Sequence, residues 1–354
     1  MSMQTSPAPR RLAHVSLYVS DLQRSRRFYC EVLGLLRSEE HVLSQDLPLA
    51  RAVSTVLARV PHFVHSWLER ALPFHYRGAH STLCFLSCGW CHHDLVLTEM
   101  YDPVLGTARP VSGNMLQALT FTLAVSPERY AERLRAHGLE PRKVKDALGE
   151  GLEVRDPDGR AIRFLVPGSE TPSDAPSPLA SFHSAAIRTP SLSQALPRWR
   201  TIGFQPCEPV EEELGPGHRR VTCALGTVDA LSPSLVLVEE HTPEGPVAAA
   251  GHSLDHLALE LGPPTPGEGN PETVRLMAAR LRRAGLRILS GPLLHDPVEG
   301  DGTWGRNHSV YVLDADGLVL EFFSGMASYP GDLSRRTTSD AEPLPEAALQ
   351  HSVG

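Results

Sequence analysis

A chain of 354 residues exceeds what one hydrophobic core usually organises, so two domains are the natural expectation. With 41% apolar and 21% charged residues a packed core is readily supplied, and the net charge of −8 disfavours nucleic acid or an anionic membrane as partner. No apolar run suits a membrane span, the first ten residues lack the apolar core of a signal peptide, and six cysteines without such a signal read as reduced thiols in a cytoplasm.

In chain order, four stretches repeat one plan. The first opens with alternating Val15, Leu17 and Val19, a strand pattern, and Ser20-Asp21-Leu22 then starts a helix that runs to a stop at Gly34. Residues 44–79 interrupt this copy with an apolar, helix-prone insertion, which reads either as an extra surface helix or as a lid or pocket wall. The second copy carries a helix end at Arg133-Leu-Arg-Ala-His-Gly138 and an acidic glycine turn, Asp156-Pro-Asp158-Gly159, before a final apolar strand. Residues 168–179 have a linker's composition and separate an N-terminal half, 11–167, from a C-terminal half, 180–326. The third copy repeats the first, with Ala185 and Ile187, a helix after Ser191, and a stop at Gly203. The fourth repeats the second: Arg280-Leu-Arg-Arg-Ala-Gly285, then Asp314-Ala-Asp316-Gly317, then an apolar strand holding Glu321. A polar tail follows over 327–354.

Each copy thus reads as strand, helix and three strands, an α+β unit too small to bury its own apolar surface, so copies must pair. His14, His256 and Glu321 each fall on a predicted strand, and two histidines with a carboxylate are the ligand set of a facial non-haem Fe(II) site. The bland readings are polar strand-edge histidines and a core Tyr311 with a satisfied hydroxyl. For Glu321 the bland reading is weaker, because a carboxylate in an apolar strand is costly to bury without a cation.

These residues resemble the vicinal-oxygen-chelate superfamily of glyoxalase I, bleomycin-resistance proteins and type I extradiol dioxygenases, over about residues 11–326. The resemblance implies βαβββ modules that pair into partly open barrels around a metal. Phe85-Leu-Ser-Cys-Gly-Trp-Cys-His92-His93-Asp94 is similar to the extradiol segment whose histidine is an acid/base group, which maps to His93. Ser309-Val-Tyr311 resembles the segment whose tyrosine hydrogen-bonds substrate, and Glu321-Phe-Phe-Ser-Gly with Tyr329-Pro330 resembles the one after the ligand glutamate. The implied function is an Fe(II)-dependent extradiol-type dioxygenase, with Mn(II) as the alternative ion, acting on an aromatic substrate with O₂. Homodimers are common in the superfamily.

The chain departs from the extradiol pattern, which takes its ligands from the second half. Counting seven residues back from the helix starts gives His14 in copy one but Ser184 in copy three; His183 is one place off and would need a bulged strand to reach the site. The copy-three counterpart of His93-Asp94 is Pro233-Ser234, and copy two offers Ala118 and Arg163 at the positions of His256 and Glu321. With His14 as first ligand a complete site has module 1 paired with module 4 and modules 2 and 3 as a metal-free pair; with a bulged His183 in its place, module 3 would pack against module 4 instead. Two rival functions stand beside the dioxygenase. A glyoxalase-like isomerase or lyase would use a second glutamate where this chain has Val96, and a metal-free binding or resistance protein would need no ligands. His92 and His93 are expected on opposite faces of a strand, Asp94 and Glu99 in structural contacts, and His308 near the pocket with Arg306 and Asn307. Cys88-Gly-Trp-Cys91-His92 has haem-attachment spacing, but the strand context and lack of an export signal speak against haem.

Overall fold

The computed structural model describes residues 8–44, 80–102, 107–108, 111, 113–146, 149–166, 177–227, 235–249, 253–262, 269–295 and 307–325. The insertion beyond Ser44, the linker before Ser177 and the tail at 327–354 lie outside the described residues.

The first module comprises β1 (Pro9–Val19), α1 (Leu22–Arg27), β2 (Leu36–Ser44), β3 (His80–Ser87) and β4 (Leu95–Asp102), with a short β5 (Thr107–Ala108). The second has β6 (Leu116–Leu123), α2 (Pro127–Ala136), β7 (Arg142–Asp146), β8 (Gly149–Arg155) and β9 (Ala161–Leu165). In the third come β10 (Leu179–Arg188), α3 (Leu192–Ile202), β11 (Gln205–Pro206), β12 (Val210–Gly215), β13 (His218–Gly226), β14 (Leu235–Thr242) and β15 (Gly245–Pro246). The fourth has β16 (Leu254–Leu261), α4 (Pro271–Arg283), β17 (Arg287–His295), β18 (Asn307–Leu313) and β19 (Val319–Ser324).

Within every module the strand before the helix runs parallel to the last long strand, with Val15 beside Leu95, Leu119 beside Ile162, Ala185 beside Leu235 and Leu257 beside Leu320. Modules then join through their first strands, antiparallel: Val15 lies opposite Leu257, and Ala185 opposite Leu119. One sheet therefore runs β17-β18-β19-β16-β1-β4-β3-β2 and the other β11-β13-β14-β10-β6-β9-β8-β7. The first joins modules 1 and 4, the second modules 2 and 3, and each curls into a half-barrel. The α+β class and the end-to-end pairing expected from the sequence are both borne out.

The sequence pattern explains which face each strand buries. Val15, Leu17 and Val19 alternate into the main core with Leu257, Leu259 and Leu261 of the neighbouring strand. Ala13, Ala258 and Phe323 form a separate small apolar cluster. The two sheets share one core, which includes Tyr29 and Leu33 from module 1 and Tyr130 and Phe164 from module 2. Two buried hydroxyls cross between modules: Tyr29 donates to Asp156 Oδ2 at 2.9 Å, and Tyr130 to the Leu33 carbonyl at 2.9 Å.

The first helix differs from expectation in its second half. Asp21 Oδ1 caps it by accepting from Arg24 N at 2.8 Å, but after Arg27 the chain continues as a π-helix over Phe28–Leu33. This wider turn buries Phe28, Tyr29, Cys30 and Leu33 together and ends at Gly34, whose φ of +94° is the left-handed stop the sequence suggested. Among the described residues no helix is long and apolar enough to cross a membrane.

Candidate metal centre

The seam between modules 1 and 4 places three side chains together. Ser16 on β1 lies opposite His256 on β16, and His14 opposite Ala258; Glu321 on β19 stands beside Ala258 in the parallel register. The result is a triangle of buried atoms. His14 Nε2 is 3.3 Å from His256 Nε2, and Glu321 Oε2 is 3.7 Å from the first and 3.4 Å from the second. Two ligands each about 2.1 Å from one ion stand about 3.0 Å apart at a right angle and about 3.4 Å apart in a tetrahedron. The edges are of that size, so the donor set fits a small divalent ion. Among the described residues this is the one group of histidine, cysteine and acidic side chains so placed.

Electrostatics sets the two histidines apart. Burial, reinforced by the neighbouring His93 and His256, holds His14 well below the usual imidazole range. His256 goes the other way: burial works against its charge, but hydrogen bonds and charge from Asp255 and Glu321 push it up to about 10. A divalent cation at the triangle would compete with that proton.

Asp255 builds the second layer. Its Oδ2 lies 3.0 Å from His256 Nδ1, and it also accepts from Tyr18 Oη at 2.5 Å and Ser16 Oγ at 3.1 Å. Burial opposes its ionisation, yet His256, Tyr18 and Ser16 outweigh that and hold it below the ordinary carboxylate range. With Nδ1–H donated to this carboxylate, His256 Nε2 is left to bind a cation. Asp255 is absent from the roles expected from the sequence; its signal there is a carboxylate directly before a candidate ligand histidine. His14 has no such partner: its Nδ1 is buried without a hydrogen bond among the described residues.

His93 and Tyr311 flank the triangle. The His93 ring lies 4.3 Å from that of His14, centroid to centroid, and burial with the nearby His92 and His256 holds it well below the usual range. Tyr311 sits opposite Glu321 on β18, its ring 5.7 Å from His256 and at a steep angle to it. Burial and the Glu321 carboxylate raise its phenol well above the ordinary value. The expected alternation of His92 and His93 across a strand is corrected. Residues 88–94 form a bend between β3 and β4, so both rings are buried together with their Nδ1 atoms 2.8 Å apart. Beyond them, His92 Nε2 meets Glu39 at 3.3 Å, a partner the sequence did not point to.

Residues 11–164 match the model of the Glyoxalase/Bleomycin resistance protein/Dioxygenase superfamily. That span is less than half of the 354 residues, and over it the chain is similar to this superfamily. No curated protein matches the sequence. Among solved structures, glyoxalase I from Zea mays is 15% identical with a TM-score of 0.55, covering 90% of this chain and 93% of that one. A Bacillus subtilis protein described as a "putative dioxygenase" is 14% identical with a TM-score of 0.56, covering 94% and 89%. At such identities the likeness is one of fold. A variant of homoprotocatechuate 2,3-dioxygenase from Brevibacterium fuscum is 19% identical over 93% of this chain and 75% of that one, but its TM-score of 0.30 bears no argument.

The superfamily's module repeat lets each ligand position be followed through the registers. Glu321 pairs beside Ala258, two residues past His256; the same step in module 1 leads from Ser16 to Val96, which is buried and apolar. In the other sheet Ser184 lies opposite Thr120 and Arg163 beside it, while Ala118 lies opposite Ala186. Ser184, Ala118 and Arg163 therefore stand where His14, His256 and Glu321 stand. His183 belongs to that second sheet, with its Nδ1 3.1 Å from Ser184 Oγ, and does not meet His256. Asp94 accepts from Cys88 N at 2.7 Å and Glu99 from Leu22 N at 2.9 Å. Cys88 and Cys91 are buried, and burial followed by the Asp94 charge raises both thiols well above their usual range. His308 lies on β18 opposite Ser324; Arg306, Tyr329-Pro330 and Pro233-Ser234 fall outside the described residues.

Proposed function

We propose that the protein is a non-haem Fe(II)-dependent dioxygenase of extradiol type, acting with O₂ on a catechol or related vicinal-oxygen aromatic compound. The observation that carries this reading is a buried triangle of two imidazoles and one carboxylate whose fourth pseudo-symmetric position is Val96. Three protein ligands leave room for both substrates, whereas a glyoxalase-like isomerase would be expected to use a glutamate where Val96 stands. Fe(II), or Mn(II), held by His14, His256 and Glu321 would supply open coordination positions through which electron density passes between diol and O₂.

The remaining chemistry belongs to the side chains. Asp255 fixes the His256 ring and its tautomer through Nδ1. His93, kept neutral by burial and its neighbouring imidazoles, takes a proton from a substrate hydroxyl and returns it to the product. Tyr311, whose phenol stays protonated, donates a hydrogen bond to a substrate oxygen. Burial of His14, His93, His256, Tyr311 and Glu321 keeps bulk water from competing with them.

The test is metal analysis of protein purified without chelators, combined with oxygen uptake on a panel of catechols. Near-stoichiometric iron with catechol-dependent oxygen uptake is expected. Nickel or zinc without oxygen uptake would move the protein to the isomerase class, and no metal at all to the binding or resistance class.

A further inference from the structure

The sheet of modules 2 and 3 has lost the metal ligands but holds a cavity of about 320 Å³. Ala118 and Arg163, the counterparts of His256 and Glu321, both line it, so the cavity occupies the place of a second site. Its floor is apolar and made of small side chains: Ala118, Ala161, Ala186, Val236 and Val238 form one buried cluster there. Small residues where the other sheet carries imidazole create the room.

The walls carry charge. Four guanidinium groups, of Arg142, Arg155, Arg163 and Arg220, face three carboxylates, of Glu153, Glu211 and Glu212. Glu153 fixes two of the cations, with Oε1 accepting from Arg142 at 2.7 Å and Oε2 from Arg163 at 3.0 Å. Arg220 is different. Its Nη1 is 3.9 Å from Glu212 and its Nη2 3.9 Å from Glu240, both beyond hydrogen-bond length. Glu240 is already taken by His218 at 2.6 Å and Arg188 at 2.9 Å. Arg220 Nε is buried with no hydrogen-bond partner among the described residues. Nε is enclosed by protein, so the donors left for an acceptor in the cavity are those of the two terminal nitrogens, each 3.9 Å from its carboxylate.

We infer that this cavity binds a small organic monoanion, its carboxylate on Arg220 and its apolar body over the alanine and valine floor. A single carboxylate balances the one excess positive charge. Inorganic phosphate would bring more charge than Arg220 offsets, beside Glu211 and Glu212, and would leave the floor uncovered. The site is distinct from the metal centre and does not depend on the reaction there.

The probe is benzoate, titrated by calorimetry into the full-length, metal-loaded protein, with benzyl alcohol as its neutral counterpart and inorganic phosphate as the bare anion. One equivalent of benzoate should bind, benzyl alcohol about tenfold or more weakly, as expected for loss of a charged hydrogen bond. Arg220→Met should weaken benzoate by a similar factor and Ala186→Phe, which fills the floor, should abolish it. His256→Ala, which removes a metal ligand on the other sheet, should leave it unchanged. Benzoate binding that survives both cavity variants, or that disappears in His256→Ala, would overturn the inference. So would phosphate binding as tightly as benzoate, or no benzoate heat in the wild-type protein.

Discussion

The two sheets are the same construction with different contents. Both join paired modules through antiparallel first strands, and both make the last crossing on an Asp-X-Asp-Gly turn. Yet one seam carries His14, His256 and Glu321, and the other Ser184, Ala118 and Arg163. At one position even the sign of charge is reversed, and the fold absorbs it because Arg163 finds Glu153 at 3.0 Å. The lesson is that strand alternation separates two jobs. Side chains of one parity, such as Leu257 and Leu119, build the core, while those of the other parity are left to diverge.

That comparison can be broken most decisively at the ligands. His256→Ala and Glu321→Ala should each reduce bound metal from about one equivalent to below about a tenth, because a two-ligand site retains little affinity. Arg163→Ala, at the matching place in the other sheet, should leave metal content unchanged. Elemental analysis decides; near-stoichiometric metal in Glu321→Ala would contradict the assignment. A smaller expected effect concerns His93, whose counterpart segment in module 3 is Pro233-Ser234. His93→Phe should keep the metal and slow turnover by about 10²-fold. Unchanged turnover in the metal-loaded variant would return His93 to a packing role.

Asp255 sharpens the contrast further, since the residue before Ala118 is Gln117. Asp255→Asn should weaken metal binding by about 10- to 100-fold, as for other groups that orient a ligand histidine, without unfolding the protein. Competition with a chelator of known affinity measures it, and an unchanged affinity would show that an accepting oxygen at this position orients His256 without the carboxylate's charge.

Much of this arrangement was legible in the sequence, and the reasons are physical. Helix starts at Asp21 and Ser191 act as rulers, and a strand's two-residue period turns distance from them into a face, which favours His14 over His183 unless the strand bulges. The module pairing is favoured because, with His183 out of register, neither half holds three ligands. What stayed hidden depends on backbone that leaves the regular periods. The bend at 88–94 brings His92 and His93 together, and the π-helix over Phe28–Leu33 has the apolar spacing of an ordinary helix. The cavity was equally unreadable, because it arises only when the register sets Ala118 against Ala186.

The smallest expected effect, and the one that tests the comparison away from any ligand, lies in the paired turns. Asp314 Oδ1 accepts from Asp316 N at 2.9 Å and Leu318 N at 2.8 Å, and Asp156 Oδ1 accepts from Asp158 N at 3.0 Å and Arg160 N at 2.7 Å. Glycine closes both turns, with φ of +85° at Gly159 and +86° at Gly317. Only Asp156 also holds a buried cation, Arg160 Nη1 at 2.8 Å; in the other turn Arg198 pairs with Asp316 instead. Burial, with the neighbouring Asp316 charge adding to it, pushes Asp314 up to about 6, against an ordinary 3.8. A carboxyl whose pKa is higher folded than unfolded binds more protons when folded. Its contribution to stability is therefore full below about 4 and is lost as pH rises through about 6. Asp314→Asn keeps the accepting oxygen but cannot ionise. Relative to the wild-type protein it should gain about 2 kcal/mol between pH 4 and pH 7. Asp156→Asn should instead lose stability at pH 7, because it removes the nearer of the two carboxylates that neutralise the buried Arg160 guanidinium and leaves only Asp158, at 3.5 Å. Denaturant unfolding at the two pH values measures both, and a pH-independent difference for Asp314→Asn would mean that this carboxyl is not held above its ordinary range.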